Sequence, residues 1–167
     1  MSNKRKVVIA LDPFSDEASY TIDWIIDNFL KPERDDIHLF SALSLNLELD
    51  PTELGVNINY GAKYVADLEK EVEQKNTDAM IPFVNKLKAR YECNNDLAEI
   101  KCKVEIIKSN LDPRNIVVDY TEKEKADVLI MGSRDLSAWK RFFLGSFSDF
   151  CQQNAHCPVI IVKGPRK

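Results

Sequence analysis

Residues 127–148 read DVLIMGSRDLSAWKRFFLGSFS. The opening run, Asp127–Met131 (DVLIM), is short and almost wholly apolar. That pattern suits a strand buried on both faces of a parallel sheet, where no side chain reaches water. Gly132 follows directly, and Gly145-Ser146 begins a helical stretch expected over 145–155. A strand, a turn and a helix start in that order bring backbone N–H groups to the carboxyl end of a strand. Doubly wound sheets collect their ligands there.

The same strand signature recurs along the chain. Val7–Leu11 (VVIAL), Ile37–Leu43 (IHLFSAL) and Val159–Val162 (VIIV) are short apolar runs. Ile100–Ile107 (IKCKVEII) instead alternates, with Ile100, Cys102, Val104 and Ile106 on one side and Lys101, Lys103 and Glu105 on the other. Alternation predicts a strand with one wet face at a sheet edge. Helical spacing fills the gaps. Ala18, Ile22, Ile25, Ile26 and Phe29 predict a helix capped by Ser15 or Asp16 and ended at Lys31-Pro32. Tyr64, Leu68, Val72, Ala79, Phe83, Leu87 and Tyr91 keep one apolar phase through Pro82. One long helix kinked at Pro82 is the first reading; two helices meeting at Asn76–Asp78 is the competing one. Asp112-Pro113 has the form of a cap followed by proline at the first helical position. Residues 44–61 are expected to be a long loop, functional or mobile. Strands alternating with helices define an α/β fold with a mostly parallel sheet and helices on both faces.

Composition narrows the function. The chain has 167 residues and 19.1 kDa, with 44% hydrophobic and 30% charged residues, which predicts one globular domain over residues 1–167. A net charge of −4 argues against a nucleic-acid face. No apolar stretch approaches the roughly 18 residues of a membrane helix. The basic start and the run Val7–Leu11 are too short for a secretory signal, so a cytoplasmic location is expected. Four cysteines without a CxxC pair and two histidines lack the ligand spacing of a structural zinc site, and inert thiols are expected. His38 and His156 read as structural, Cys151 and Cys157 as packing residues, and the Lys/Glu-rich stretch 67–76 as a solvated face. Only five glycines occur, against about a dozen at average usage. Two of them, Gly132 and Gly145, bracket one segment.

Three places can carry chemistry: Asp12 after the first strand, Ala42 near the end of the second, and the segment 131–148. Arg134, Lys140 and Arg141 stand against one acid, Asp135, in that segment. With a helix N-terminus at Gly145-Ser146, this suits a phosphate. Ser146 with Asp149 also fits an ordinary capping box, and Leu136, Trp139 and Phe143 also fit a core or an interface.

The segment resembles the signature of the universal stress protein family: glycine, two residues, glycine, nine residues, then glycine with serine or threonine. Gly132 and Gly145-Ser146 match it, as do the flanking strand, HCPVIIV (156–162), Asp12 and Asp112-Pro113. The 44–61 loop and the long helix match poorly. The resemblance implies a five-stranded, doubly wound, Rossmann-like fold, a homodimer through Val159–Val162, and a subclass that binds ATP, with Mg2+ as a possible companion. It implies a nucleotide site made of Ala10, Leu11, Asp12, Ala42, Met131, Gly132, Arg134, Asp135, Gly145, Ser146, Phe147 and Ser148. Asp12 and Ala42 would hold ribose and adenine, and the glycine segment ribose and phosphates. Asp135 replaces the second glycine. It tolerates a left-handed turn, repels bare phosphate, and can hold a divalent cation or point outward into solvent. The expected function is an adenine-nucleotide-binding regulatory protein of the stress response without dedicated catalysis. The alternatives are a slow ATPase and a dimeric interaction module that has lost ATP. No Walker motif or GxGxxG is present.

Overall fold

The computed structural model describes residues 4–31, 33–44, 58–92, 102–109, 111–133 and 146–164. Five strands form one sheet: β1 (Arg5–Ala10), β2 (Asp35–Ser44), β3 (Cys102–Ser109), β4 (Val128–Gly132) and β5 (Val159–Val162). Their spatial order is β3-β2-β1-β4-β5, and every pairing is parallel. The helices are α1 (Ala18–Asn28), α2 (Ile58–Glu92), α3 (Pro113–Lys123) and α4 (Ser146–Asn154). The chain runs outward from β1 in one direction, then returns and runs outward in the other. That reversal is a topological switch between β1 and β4.

Period-two alternation on the strands divides the core in two. Val7 and Ile9 of β1, Ile37 and Leu39 of β2, and Val128 and Ile130 of β4 face α1 and α2, where they meet Ile22, Ile25, Met80 and Leu87. Val8, Phe40, Leu129 and Met131 face α3 and α4, where they meet Ile116, Val117, Tyr120 and Cys151. Each such aliphatic side chain removed from water stabilises the fold by about 1.5–3 kcal/mol. The apolar runs on β1, β2 and β4 thus reflect burial on both faces.

Four expectations need correction. Neither Ser15 nor Asp16 caps α1; Glu17 occupies the cap position and makes no side-chain cap bond. Two successive turns, Ser15 N–H to the Asp12 carbonyl and Ala18 N–H to the Ser15 carbonyl (both 3.0 Å), carry the chain further before the helix begins. The helix ends at Asn28, ahead of Lys31, because Phe29 and Leu30 N–H both donate to the Ile25 carbonyl. Residues 58–61, expected in the loop, already belong to α2; residues 45–57 lie outside the described residues. On β3, Val104 is 40% exposed although it shares its side with Cys102 and Ile106, because an edge strand is covered less completely.

Of the two readings of the long helical pattern, the single helix holds. Pro82 lies inside α2, and no break falls at 76–78. Pro82 and Asp78 are both exposed, so the carbonyl that loses its donor can bond to water. Asp112 caps α3 as expected, accepting from Arg114 N–H at 2.8 Å, with Pro113 at the first helical position.

Candidate functional site

The carboxyl ends of β1, β2 and β4 meet the N-terminal turns of α1, α3 and α4 around one cavity of about 650 Å³. Nine of the twelve site residues expected from sequence line it: Ala10, Leu11, Asp12, Ala42, Met131, Gly132, Ser146, Phe147 and Ser148. The other three, Arg134, Asp135 and Gly145, lie outside the described residues. The parallel register explains the convergence. Ala10 pairs with Phe40 on one side and Met131 on the other; β1 and β4 end at this level, while β2 runs on to Ser44 against β3, so Ser41, Ala42 and Leu43 line the cavity beside them.

Each lining group has a local reason for its position. Asp12 follows β1, and its Oδ1 accepts from Phe14 N–H at 3.1 Å, an Asx turn that aims the chain toward α1. Leu11 N–H donates to the Phe40 carbonyl at 2.8 Å, which ties this turn to β2. Gly132 ends β4 with Thr21 of α1 packed behind it. A Cβ there would lie 2.6 Å from Thr21 Oγ1, so only glycine lets the strand end approach α1 this closely. Ser133 N–H continues the ladder to the Val162 carbonyl at 2.8 Å, and its hydroxyl donates to Glu17 at 3.3 Å.

The cavity has two chemically different sides. On one, α3 and α4 pack together with their first turns at the rim. The unpaired N–H groups and dipole of a helix start favour an anion. Arg114 stands beside them, its guanidinium 5.1 Å from the Phe150 ring centroid. It pairs with Asp112 at 2.6 Å. The Arg114 side chain, then its backbone N–H, hold the Asp112 carboxyl below its ordinary range. On the other side, α1 and α2 contribute Ala18, Thr21 and Asn76.

Sequence reasoning missed Thr21, Asn76 and Arg114. Asn76 had a signal: it interrupts the apolar stripe Val72, Met80, Phe83, Leu87 at a position that helical spacing turns inward. Thr21 had none, because a threonine within a helix is unremarkable. Arg114 carries no signal beyond the helix start to which it belongs.

The chain is an open doubly wound α/β protein with a cavity at its switch point, the place where folds of this class gather ligands. The family model described as the universal stress protein family matches residues 4–163, and the chain belongs to that family. The chain is similar to universal stress protein PHOS34 of Arabidopsis thaliana, 27% identical over 97% of this chain and 63% of that one. It is also similar to universal stress protein MJ0531 of Methanocaldococcus jannaschii, 44% identical over 55 residues, 33% of this chain and 32% of that one. The chain therefore spans less than two thirds of the length of these relatives. Among solved structures, an Arabidopsis thaliana universal stress protein family member with AMP bound shares the fold at a TM-score of 0.64 and 19% identity, covering 96% and 92% of the two chains. An Archaeoglobus fulgidus universal stress protein in complex with dAMP gives 0.61 and 15%, covering 98% and 100%. A universal stress protein in complex with cAMP gives 0.61 and 15%, covering 97% and 98%.

Proposed function

We propose that this protein binds an adenine nucleotide in the cavity at the carboxyl end of its sheet and acts as a regulatory nucleotide-binding protein of the stress response, without dedicated catalysis, in the cytoplasm. One observation carries the reading: nine of the residues expected at the site line a single cavity that an α-helix N-terminus enters. The residues present fit such a ligand. Asp12 offers a carboxylate to a ribose hydroxyl, Gly132 presents backbone without a side chain, and the first turn of α4 offers N–H groups to phosphate. Structures of similar proteins with AMP, cAMP and dAMP support the adenine class. ATP, accompanied by Mg2+, is the ligand that the resemblance of the glycine-serine segment favours.

Equilibrium dialysis with labelled ATP and magnesium tests this. Saturable binding is expected, and its absence at millimolar nucleotide overturns the reading. A phosphate-release assay with an Asp12→Ala control is expected to show no turnover that depends on Asp12, which separates binding from slow hydrolysis. The same family likeness supports a homodimer through β5, a short apolar edge strand whose Val159, Ile160 and Ile161 are only half-buried within one chain.

A further inference from the structure

The wall of the cavity formed by α1 and α2 carries two side-chain oxygens without a hydrogen-bond partner among the described residues. Asn76 is 3% exposed and Thr21 1%, and both line the cavity. Neither Asn76 Oδ1 nor Thr21 Oγ1 has a hydrogen-bond partner among the described residues. Buried polar atoms are almost always paired, and one left unpaired destabilises the fold. Both could have been avoided. Asn76 lies one helical turn from Val72 and from Met80, so a leucine there would simply extend the core. A helical threonine commonly returns its hydroxyl to a carbonyl one turn earlier, yet Thr21 Oγ1 does not.

We propose that Asn76 is a specificity-determining residue of this site, accepting a hydrogen bond from an amino group on the base of the bound nucleotide. The inference rests on the nucleotide reading above. The groups that favour phosphate belong to α3 and α4 on the opposite face of the sheet. Leu11 and Ala18, which belong to the core on the α1 and α2 face, line the cavity together with Asn76 and Thr21. A neutral amide beside aliphatic groups and a hydroxyl suits a flat heterocycle with a polar edge, not an anion. An unpaired carbonyl oxygen selects a donor, so an amino purine is favoured over a purine that carries oxygen or hydrogen at that position.

Calorimetric titrations of wild type and Asn76→Leu with AMP, with inosine monophosphate and with purine riboside monophosphate test the assignment. Wild type is expected to prefer AMP over purine riboside monophosphate by about threefold to tenfold, the worth of one neutral hydrogen bond. Asn76→Leu is expected to bind the two equally, and its Tm without nucleotide is expected to match or exceed that of wild type. An AMP preference that survives in Asn76→Leu overturns the proposal. So does a lowered Tm, which would mark Asn76 as a structural hydrogen-bonding residue. Binding of AMP by wild type without any preference removes this proposal alone, whereas binding of none of the three nucleotides removes the nucleotide reading with it.

Discussion

Gly132 shows how much a single position can carry. Its sequence reading was close approach of backbone to a ligand, and the structure adds that the space behind it is filled by Thr21. Gly132→Ala should destabilise the protein by about 1–3 kcal/mol, because a stiff β-branched side chain must move out of its way. Thr21→Ala removes the offending oxygen and leaves the remaining contacts at ordinary distance, the nearest at 3.7 Å. The pair should therefore be non-additive, with the double variant more stable than Gly132→Ala alone; denaturant unfolding of all four proteins in a double-mutant cycle measures the coupling. The thiols are a second case at this scale. Burial raises the Cys151 pKa to about 11 and also raises those of Cys102 and Cys157, in keeping with their reading as packing groups.

At the scale of elements, α2 is the longest helix, at 35 residues, and a few deeply buried side chains anchor it. Met80 and Leu87 are its fully buried anchors in the core beneath α1. Leu87→Ala should cost about 2–5 kcal/mol of unfolding free energy, whereas an exposed leucine would cost little. Surface pairs such as Lys75–Glu71 and Arg90–Asp27 add little beside this, being solvent-screened. The strands and helices could be read from apolar runs and helical spacing almost everywhere, since β1, β2 and β4 are buried on both faces. What could not be read was where α1 starts. Its cap position is taken by Glu17 after two turns, a choice set by the path from β1 rather than by local propensity.

At the scale of the molecule, a polar cluster joins β2, β3 and α3 away from the cavity. The Tyr120 hydroxyl and His38 Nδ1 share a hydrogen bond of 3.0 Å, with Glu105 beside them. Burial lowers the His38 pKa despite Asp36, while Lys103 and Lys6 lower it further and Glu124 opposes them. Below about pH 6.5 the unfolded chain takes up a proton that folded His38 declines. Global stability should therefore fall as pH drops from about 6.5 to the lower folded pKa, then level off with respect to this group. Urea unfolding at stepped pH should show that slope in wild type and a shallower one in His38→Gln. Sedimentation tests the dimer at the same scale. A species of twice 19.1 kDa is expected at micromolar concentration, and a monomer alone refutes pairing through β5.

Fold class was legible in the residues themselves, because periodicity and turn chemistry are local; strand order was not, and nine of the residues that line the cavity followed from the resemblance carried by the glycine segment. Asp12, Ala42 and Gly132 could be located by their places after apolar runs. Thr21, Asn76 and Arg114 could not be joined to them from sequence, since they stand on three different helices that only packing brings to one cavity. A polar residue on a buried stripe is written in the sequence as an irregularity. Whether it is a flaw or a binding group depends on what it faces, and that is decided by the tertiary fold alone.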